Sequence, residues 1–350
     1  MSGTDEYGYD PDRKRRRAMR DLFDRMEETA QASSQGPRQL GAAAGLPTIT
    51  PVKKRLIAAS CAIRQDAPEE ITYQHTVLCQ TALPVRRPPE SVRVWEREQG
   101  RAALSLEAGR ARDPKTQKFV NLPLPFGPKA RLILMHLNSA AIKAQSPIIE
   151  VSTSVTAFVS RIQGRAPTGP EIRAFKNQLS ALSAATIRLA VTSGERATQI
   201  NTQIVGAFDL WFPKDANQRV LWPSTVQLST DYFNSLVNQA VPLDERAIAS
   251  LAHSALALDV YAWMAQRLHR MPSTKPQLVP WTALYEQFGQ GYQALRFFRR
   301  DFLKTLSQVK TAYPTARFDA DGRGMTLWQS PPPVAKLLVA VSPRTIEHEP

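Results

Sequence analysis

Between residues 127 and 313 most apolar positions recur at helical spacing, and short stretches of alternation interrupt them. Leu134, Leu137 and Ala141 share one face of a segment that begins at Gly127 and stops at Ser146-Pro147. Pro128 suits a first helical turn, where its missing N–H would have no partner anyway. Ile148 to Val151 reads as a short strand. Val155, Phe158, Val159 and Ile162 then mark a helix starting at Ser154. Thr168-Gly-Pro-Glu171 has capping-box spacing, and Ile172, Phe175, Leu179 and Leu182 form the buried stripe of the helix it opens. Next the period falls to two. Ile187, Leu189 and Val191 line one face of a strand, Ser193-Gly194 turns the chain, and further strands follow near Ile200–Val205 and at Phe208, Leu210 and Phe212.

The same order recurs downstream. Val226–Ser229 reads as a strand and Asp231–Asn238 as a short helix, and one long, mostly buried helix is predicted from Asp244 to Met271. A strand at Val279–Trp281, a helix at Thr282–Phe288, a Gly289-Gln290-Gly291 turn and a helix at Tyr292–Tyr313 follow. In the last helix Leu295, Phe298, Phe302 and Leu306 face inward, and Pro314 ends it. Arg317–Asp319 and Met325–Trp328 bracket Asp321-Gly322, a hairpin turn signal. Upstream, residues 71–125 read as β-rich, with strands at Thr76–Cys79 and Ala103–Leu106.

Helix, turn, helix, hairpin is the order of a winged helix. The expected class is therefore α+β, helix-rich, with two tandem winged-helix domains. Their bounds are 51–222, with an N-terminal β-rich addition, and 223–330. Residues 1–50 are expected to be a disordered basic extension containing one polar helix over Asp12–Glu28, and 331–350 a tail.

Charge narrows the function. The 350 residues carry 45 Lys and Arg against 31 Asp and Glu, a net charge of +14, which favours a polyanionic partner. The most apolar run, Ala252–Ala265, is too short to span a bilayer and is broken by His253, Ser254 and Asp259, so no membrane role is expected. The N-terminus has no apolar signal stretch. Cys61 and Cys79 match no CxxC pattern and read as reduced thiols of a cytosolic protein.

Enzyme signatures fail one by one. Gly164-Arg-Ala-Pro-Thr-Gly169 has the glycine spacing of a phosphate loop, but Pro170 stands where its lysine belongs. His75, His136, His253, His269 and His348 form no paired metal motif, and His253 reads as a hydrogen-bonded core residue. Asp319-Ala-Asp321 reads as turn chemistry. No cofactor, no metal and no catalytic residue is expected.

Two helices remain as candidate DNA readers, because a helix enters the major groove when one face packs and the other carries donors. Opposite the Phe175 stripe lie Arg173, Lys176, Asn177 and Ser180. On the later helix Arg296, Arg300 and Lys304 are spaced i, i+4, i+8, with Arg299 beside them. Arg196 and Arg323 sit near the two hairpin tips, placed for phosphate or minor-groove contact. The plain alternative for each helix is a solvated face that happens to be basic, and for each tip arginine a polar turn residue.

Several segments, taken in order, resemble one family. They are Tyr73–Pro84 (YQHTVLCQTALP), Trp95–Gly109 (WEREQGRAALSLEAG), Leu122–Arg131 (LPLPFGPKAR), Ser146–Val151 (SPIIEV), Thr156–Arg161 (TAFVSR), Ile172–Leu179 (IRAFKNQL), Leu258–Leu268 (LDVYAWMAQRL) and Phe297–Phe302 (FFRRDF). Together they resemble the plasmid-encoded RepA family of replication initiators over roughly residues 70–330. The resemblance implies a protein of the bacterial cytoplasm that binds repeated double-stranded sites (iterons) at a plasmid origin. It implies melting of adjacent AT-rich DNA, recruitment of the host helicase and host initiator, repression of its own gene, and a monomer–dimer equilibrium. Two alternatives stay open at this point: a transcriptional repressor without initiator activity, and a nicking or primer-synthesising nucleic-acid enzyme.

Overall fold

The computed structural model describes residues 49–112, 116–150, 155–193, 196–203, 205–207 and 225–335. The polar helix expected over Asp12–Glu28, the strand expected at Phe208, Leu210 and Phe212, and most of the expected tail lie outside these residues.

The described chain opens with α1 (Pro51–Gln65), an element the apolar pattern does not announce. Pro51 occupies the first turn, the Thr50 hydroxyl accepts the Lys53 N–H at 3.3 Å, and Leu56 and Ile57 are buried. Strand β1 (Ile71–His75) then runs into α2 (Thr76–Gln80). The strand expected at Thr76–Cys79 is thus a helical turn. His75 Nδ1 accepts the Val77 N–H at 3.2 Å, capping the turn and ending the strand just before the apolar run begins.

Strands β2 (Val94–Gln99) and β3 (Ala102–Glu107) form a hairpin. The short ribbon of β4 (Arg110–Arg112) and β5 (Phe119–Asn121) follows. Helix α3 (Gly127–Ala144) carries Leu134, Leu137 and Ala141 on its buried side, and β6 (Ile148–Glu150) follows. Helices α4 (Val155–Gln163) and α5 (Gly169–Ala184) precede β7 (Thr186–Ser193) and β8 (Arg196–Gln203). The β7–β8 hairpin forms as the alternation predicts. It also pairs with β3, giving a four-stranded antiparallel sheet in the order β2-β3-β7-β8. Leu104, Leu106, Ile187 and Leu189 are the buried side of that sheet.

Strands β9 (Val205–Ala207) and β10 (Thr225–Leu228) join β6 in the order β6-β10-β9. After α6 (Thr230–Gln239) the chain adds β11 (Ala240–Asp244), which pairs antiparallel with β1, Ile71 opposite Asp244 and His75 opposite Ala240. Pro242 hides this strand from a pattern reading, because proline argues against a paired strand. The single helix predicted over 244–271 is instead α7 (Glu245–Leu251), α8 (Ala255–Arg267) and a 3-10 turn at Leu268–Arg270. The break is chemical. The Ser254 hydroxyl accepts the Ala257 N–H at 3.2 Å and starts a new helix there. His253 sits in this break and is exposed, not in the core, with Nδ1 3.2 Å from the Ser250 carbonyl oxygen.

Strand β12 (Gln277–Pro280), α9 (Trp281–Phe288), α10 (Leu295–Ala312), β13 (Arg317–Ala320) and β14 (Gly324–Trp328) complete the described chain. The last sheet has the order β12-β14-β13. The architecture is α+β, with several small antiparallel sheets. Helix α8 is buried almost throughout, and Tyr261 and Trp263 are among the largest enclosed side chains. It contacts α3 and α10, and one connected apolar cluster holds residues from Leu56 to Leu327. Within it Arg131 on α3 meets Asp259 on α8 through two bonds of 2.6 and 2.7 Å. The guanidinium also donates to the carbonyls of Leu83, Pro84 and Gly127. Burial pushes the Asp259 carboxyl up, and Arg131 opposes the shift.

Candidate nucleic-acid interface

Helix α10 is set by an aromatic cluster. Phe298 and Phe302 are fully enclosed, with ring centroids 5.0 Å apart. Tyr285, Phe288 and Trp281 of α9 meet them at 5.5, 5.8 and 6.0 Å. The turn between the helices is closed by the Tyr285 hydroxyl donating to the Tyr292 carbonyl at 2.7 Å. Gly289 lies so close to Tyr285 that a Cβ would fall 2.3 Å from its ring. Only glycine fits this turn without displacing the ring.

The following hairpin is bolted to the same helices. The Trp281 indole N–H donates to the Asp321 carbonyl at 2.8 Å, and an Arg299 N–H reaches the same oxygen at 3.0 Å. The Arg299 guanidinium also lies 4.9 Å from the Trp281 ring centre. Asp321 Oδ1 accepts the Arg323 and Gly324 N–H groups at 2.8 and 3.2 Å, which makes the Asp319–Asp321 stretch turn chemistry. Arg323 is exposed at this tip, with its guanidinium 3.2 Å from Asp321.

With the aromatic side packed, the other face of α10 carries Arg296, Arg300 and Lys304, all exposed. Arg299 differs from these, since it is half-buried and one of its N–H groups is engaged by the hairpin. Leu295 was expected to face inward but is 37% exposed. Phe297, also 37% exposed, lies on the cationic stripe three residues before Arg300 and seven before Lys304. The Arg296 and Arg300 guanidiniums lie 4.7 and 5.9 Å from its ring centre. In the sequence Phe297 looks like core because it stands beside Phe298. Its offset from the Phe298–Phe302 stripe is the signal that separates it. Arg300 pairs with Asp301 at 2.9 Å and holds that carboxyl below its usual value.

Helix α5 is arranged differently. Arg173 and Asn177 are exposed, and Lys176 and Ser180 are half-buried, while Phe175, Leu179 and Leu182 pack inward. Its start is fixed by Glu171, whose carboxylate accepts the Thr168 N–H at 2.8 Å and pairs with Arg165. These contacts, Arg165 first, bring Glu171 down to about 2, so it is ionised at all ordinary pH. Arg196 is the first residue of β8, opposite Ser193. No group of metal-ligating side chains occurs among the described residues, and no described helix is long and apolar enough to cross a membrane.

Residues 124–283 match the model of the plasmid-encoded RepA protein family. The match covers 160 of the 350 residues. The RepA match runs from the residue before Pro125 through α3 and α5 into α9, and α10 with its hairpin lies just beyond it. No curated protein matches the chain. Two crystal structures of RctB domains 2 and 3 are similar over 66% of this chain and 82% of theirs, at 12% and 11% identity and a TM-score of 0.42 each.

Proposed function

We propose that this chain is a non-enzymatic plasmid replication initiator that binds repeated double-stranded sites at its origin through two winged-helix units. The RepA family match supports the initiator role. The single observation that carries the DNA-binding reading is the exposed face of α10, where Arg296 and Arg300 flank Phe297 and Lys304 continues the stripe, on a helix whose opposite face is locked in aromatic packing. Arginine forks match guanine O6 and N7, and an exposed phenyl ring offers apolar contact to a thymine methyl. In this reading α5 supplies the second helix through Arg173, Lys176, Asn177 and Ser180. Arg196 and Arg323 serve the flanking wings, and Arg299 holds the wing in place. Two such units along one face favour a long site of about two helical turns. Self-repression, a monomer–dimer equilibrium and contact with the host helicase and initiator are part of the same proposal.

Footprinting on DNA flanking the gene, at physiological salt with excess random competitor, tests it. Regularly spaced protected repeats beside an AT-rich stretch are expected. A single protected palindrome would make the protein a repressor. No protection by folded protein would overturn specific binding. Arg300→Ala is expected to weaken repeat binding by roughly 1–3 kcal/mol and to relax specificity at one position.

A further inference from the structure

A second cationic and aromatic surface lies away from the two helices, on the β4–β5 ribbon. Registers pair Arg110 with Asn121, Ala111 with Val120 and Arg112 with Phe119. Side chains alternate across a ribbon, so Arg110, Arg112, Phe119 and Asn121 share one face and Ala111 and Val120 the other. The burial follows this division. Ala111 is buried, while all four members of the first face are exposed. Phe119, at 63%, is the most exposed large apolar side chain among the described residues. Ordinary patterning would turn it inward with Ala111. Here it stands beside two arginines, with the Arg110 guanidinium 5.7 Å from its ring centre. Lys118 is exposed next to it.

The ribbon is small but firmly rooted. Arg93 donates to the carbonyls of Leu122, Ala108 and Gly109 at 2.6, 2.7 and 2.9 Å, tying both strands together at their base. Gly109 sits directly against the end of α5, where a Cβ would fall 1.7 Å from the Ala184 carbonyl oxygen. A two-stranded ribbon is barely stable alone. These contacts anchor the base of the ribbon, whose exposed face carries the phenyl ring.

We propose that this face is a separate binding site for unpaired nucleic acid, with Phe119 stacking on a base and Arg110, Arg112 and Lys118 taking the neighbouring phosphates. Charge selects a polyanion, and an exposed ring flanked by cations suits the flat face of an unstacked base. Because the ribbon is distinct from α10, this site stands or falls apart from the duplex reading above.

The test is anisotropy of a labelled 20-nucleotide thymidine strand titrated with the full chain at physiological salt. Phe119→Ala is expected to weaken binding roughly 5- to 150-fold. Phe119→Trp should restore it, and Arg110→Gln should weaken it and flatten its salt dependence. Circular dichroism checks that each variant is folded. Arg300→Ala should weaken the duplex footprint yet bind the thymidine strand normally. Unchanged strand binding in folded Phe119→Ala overturns the proposal. So does a loss that tryptophan does not restore, or a change in sedimentation without a change in strand binding, which would make the face a protein contact.

Discussion

The α5 unit and the α10 unit share an element order but are held together by different means. Helix α10 and its hairpin are joined by side chains. Trp281 and Arg299 both reach the Asp321 carbonyl, and the rings of Tyr285, Phe288, Phe298 and Phe302 fill the space beneath. Both hairpins are extended by backbone pairing, that of α10 by the single strand β12 and that of α5 by a second hairpin. Strand β7 pairs with β3, so β2–β3 widen the hairpin into a sheet. The difference shows on the exposed faces. On α10 Arg299 is turned to Trp281 and the hairpin, while Arg296 and Arg300 are exposed around Phe297. Helix α5 has Arg173 and Asn177 exposed, and Lys176 only half-exposed. Two helices of similar sequence character therefore present unequal cationic faces, and α10 is expected to contribute more of the affinity.

Removing the ion pair beneath both units should erase the contrast. Arg131→Met leaves Asp259 buried without its cation and is expected to cost about 3–5 kcal/mol in chemical denaturation, loosening both units together. A loss confined to one unit's spectroscopic signal would show that the pair serves that unit alone.

Acid should separate the units. Burial brings His75 and His136 down to about 4, with Arg161 and Lys143 adding to the effect at His136. Both are neutral in the fold, whereas the unfolded chain takes up protons near pH 6.5. Their stabilisation is complete above about pH 6.5 and is lost as pH falls toward 4, at most roughly 3 kcal/mol for each. His75→Asn keeps an acceptor for the Val77 N–H and removes the titration, so its midpoint in urea should fall less between pH 7 and 5 than that of the parent. An unchanged slope would assign the acid sensitivity elsewhere.

Binding sharpens the comparison further. Arg300→Ala should lose more repeat affinity than Arg173→Ala, with the α10 change near the upper part of a roughly 1–3 kcal/mol range. Equal losses would make the two helices equivalent readers. The smallest effect is expected at the hairpin anchor. Trp281→Phe removes one indole N–H bond to Asp321 and should cost about 1 kcal/mol of stability, while raising protease cleavage at the β13–β14 turn. Cleavage at the β7–β8 hairpin serves as the internal reference.

Much of the element order was legible in the residues. The Thr168–Glu171 spacing, the Phe175 and Phe298 stripes, and the Asp321-Gly322 turn all rest on interactions within a few residues of each other. The misreadings share a cause. Thr76–Cys79 looks like a strand by composition, but His75 caps it into a helical turn. Strand β11 exists because β1, far away in sequence, lies alongside to pair with it. Within the candidate site the cations Arg296, Arg300 and Lys304 were readable from helical spacing. Arg299 was grouped with them because its partner, the Asp321 carbonyl, is twenty-two residues away.

By itself the sequence determined a basic, helix-rich α+β chain with two helix-and-hairpin units, since charge sums and local periodicity require no knowledge of distant partners. The tertiary structure decided which arginines are spent on the fold and which face outward, that Phe297 and Phe119 are exposed, and that β3 joins β7. Each of these depends on groups brought together from separated parts of the chain. Local spacing carries no record of whether such a partner exists.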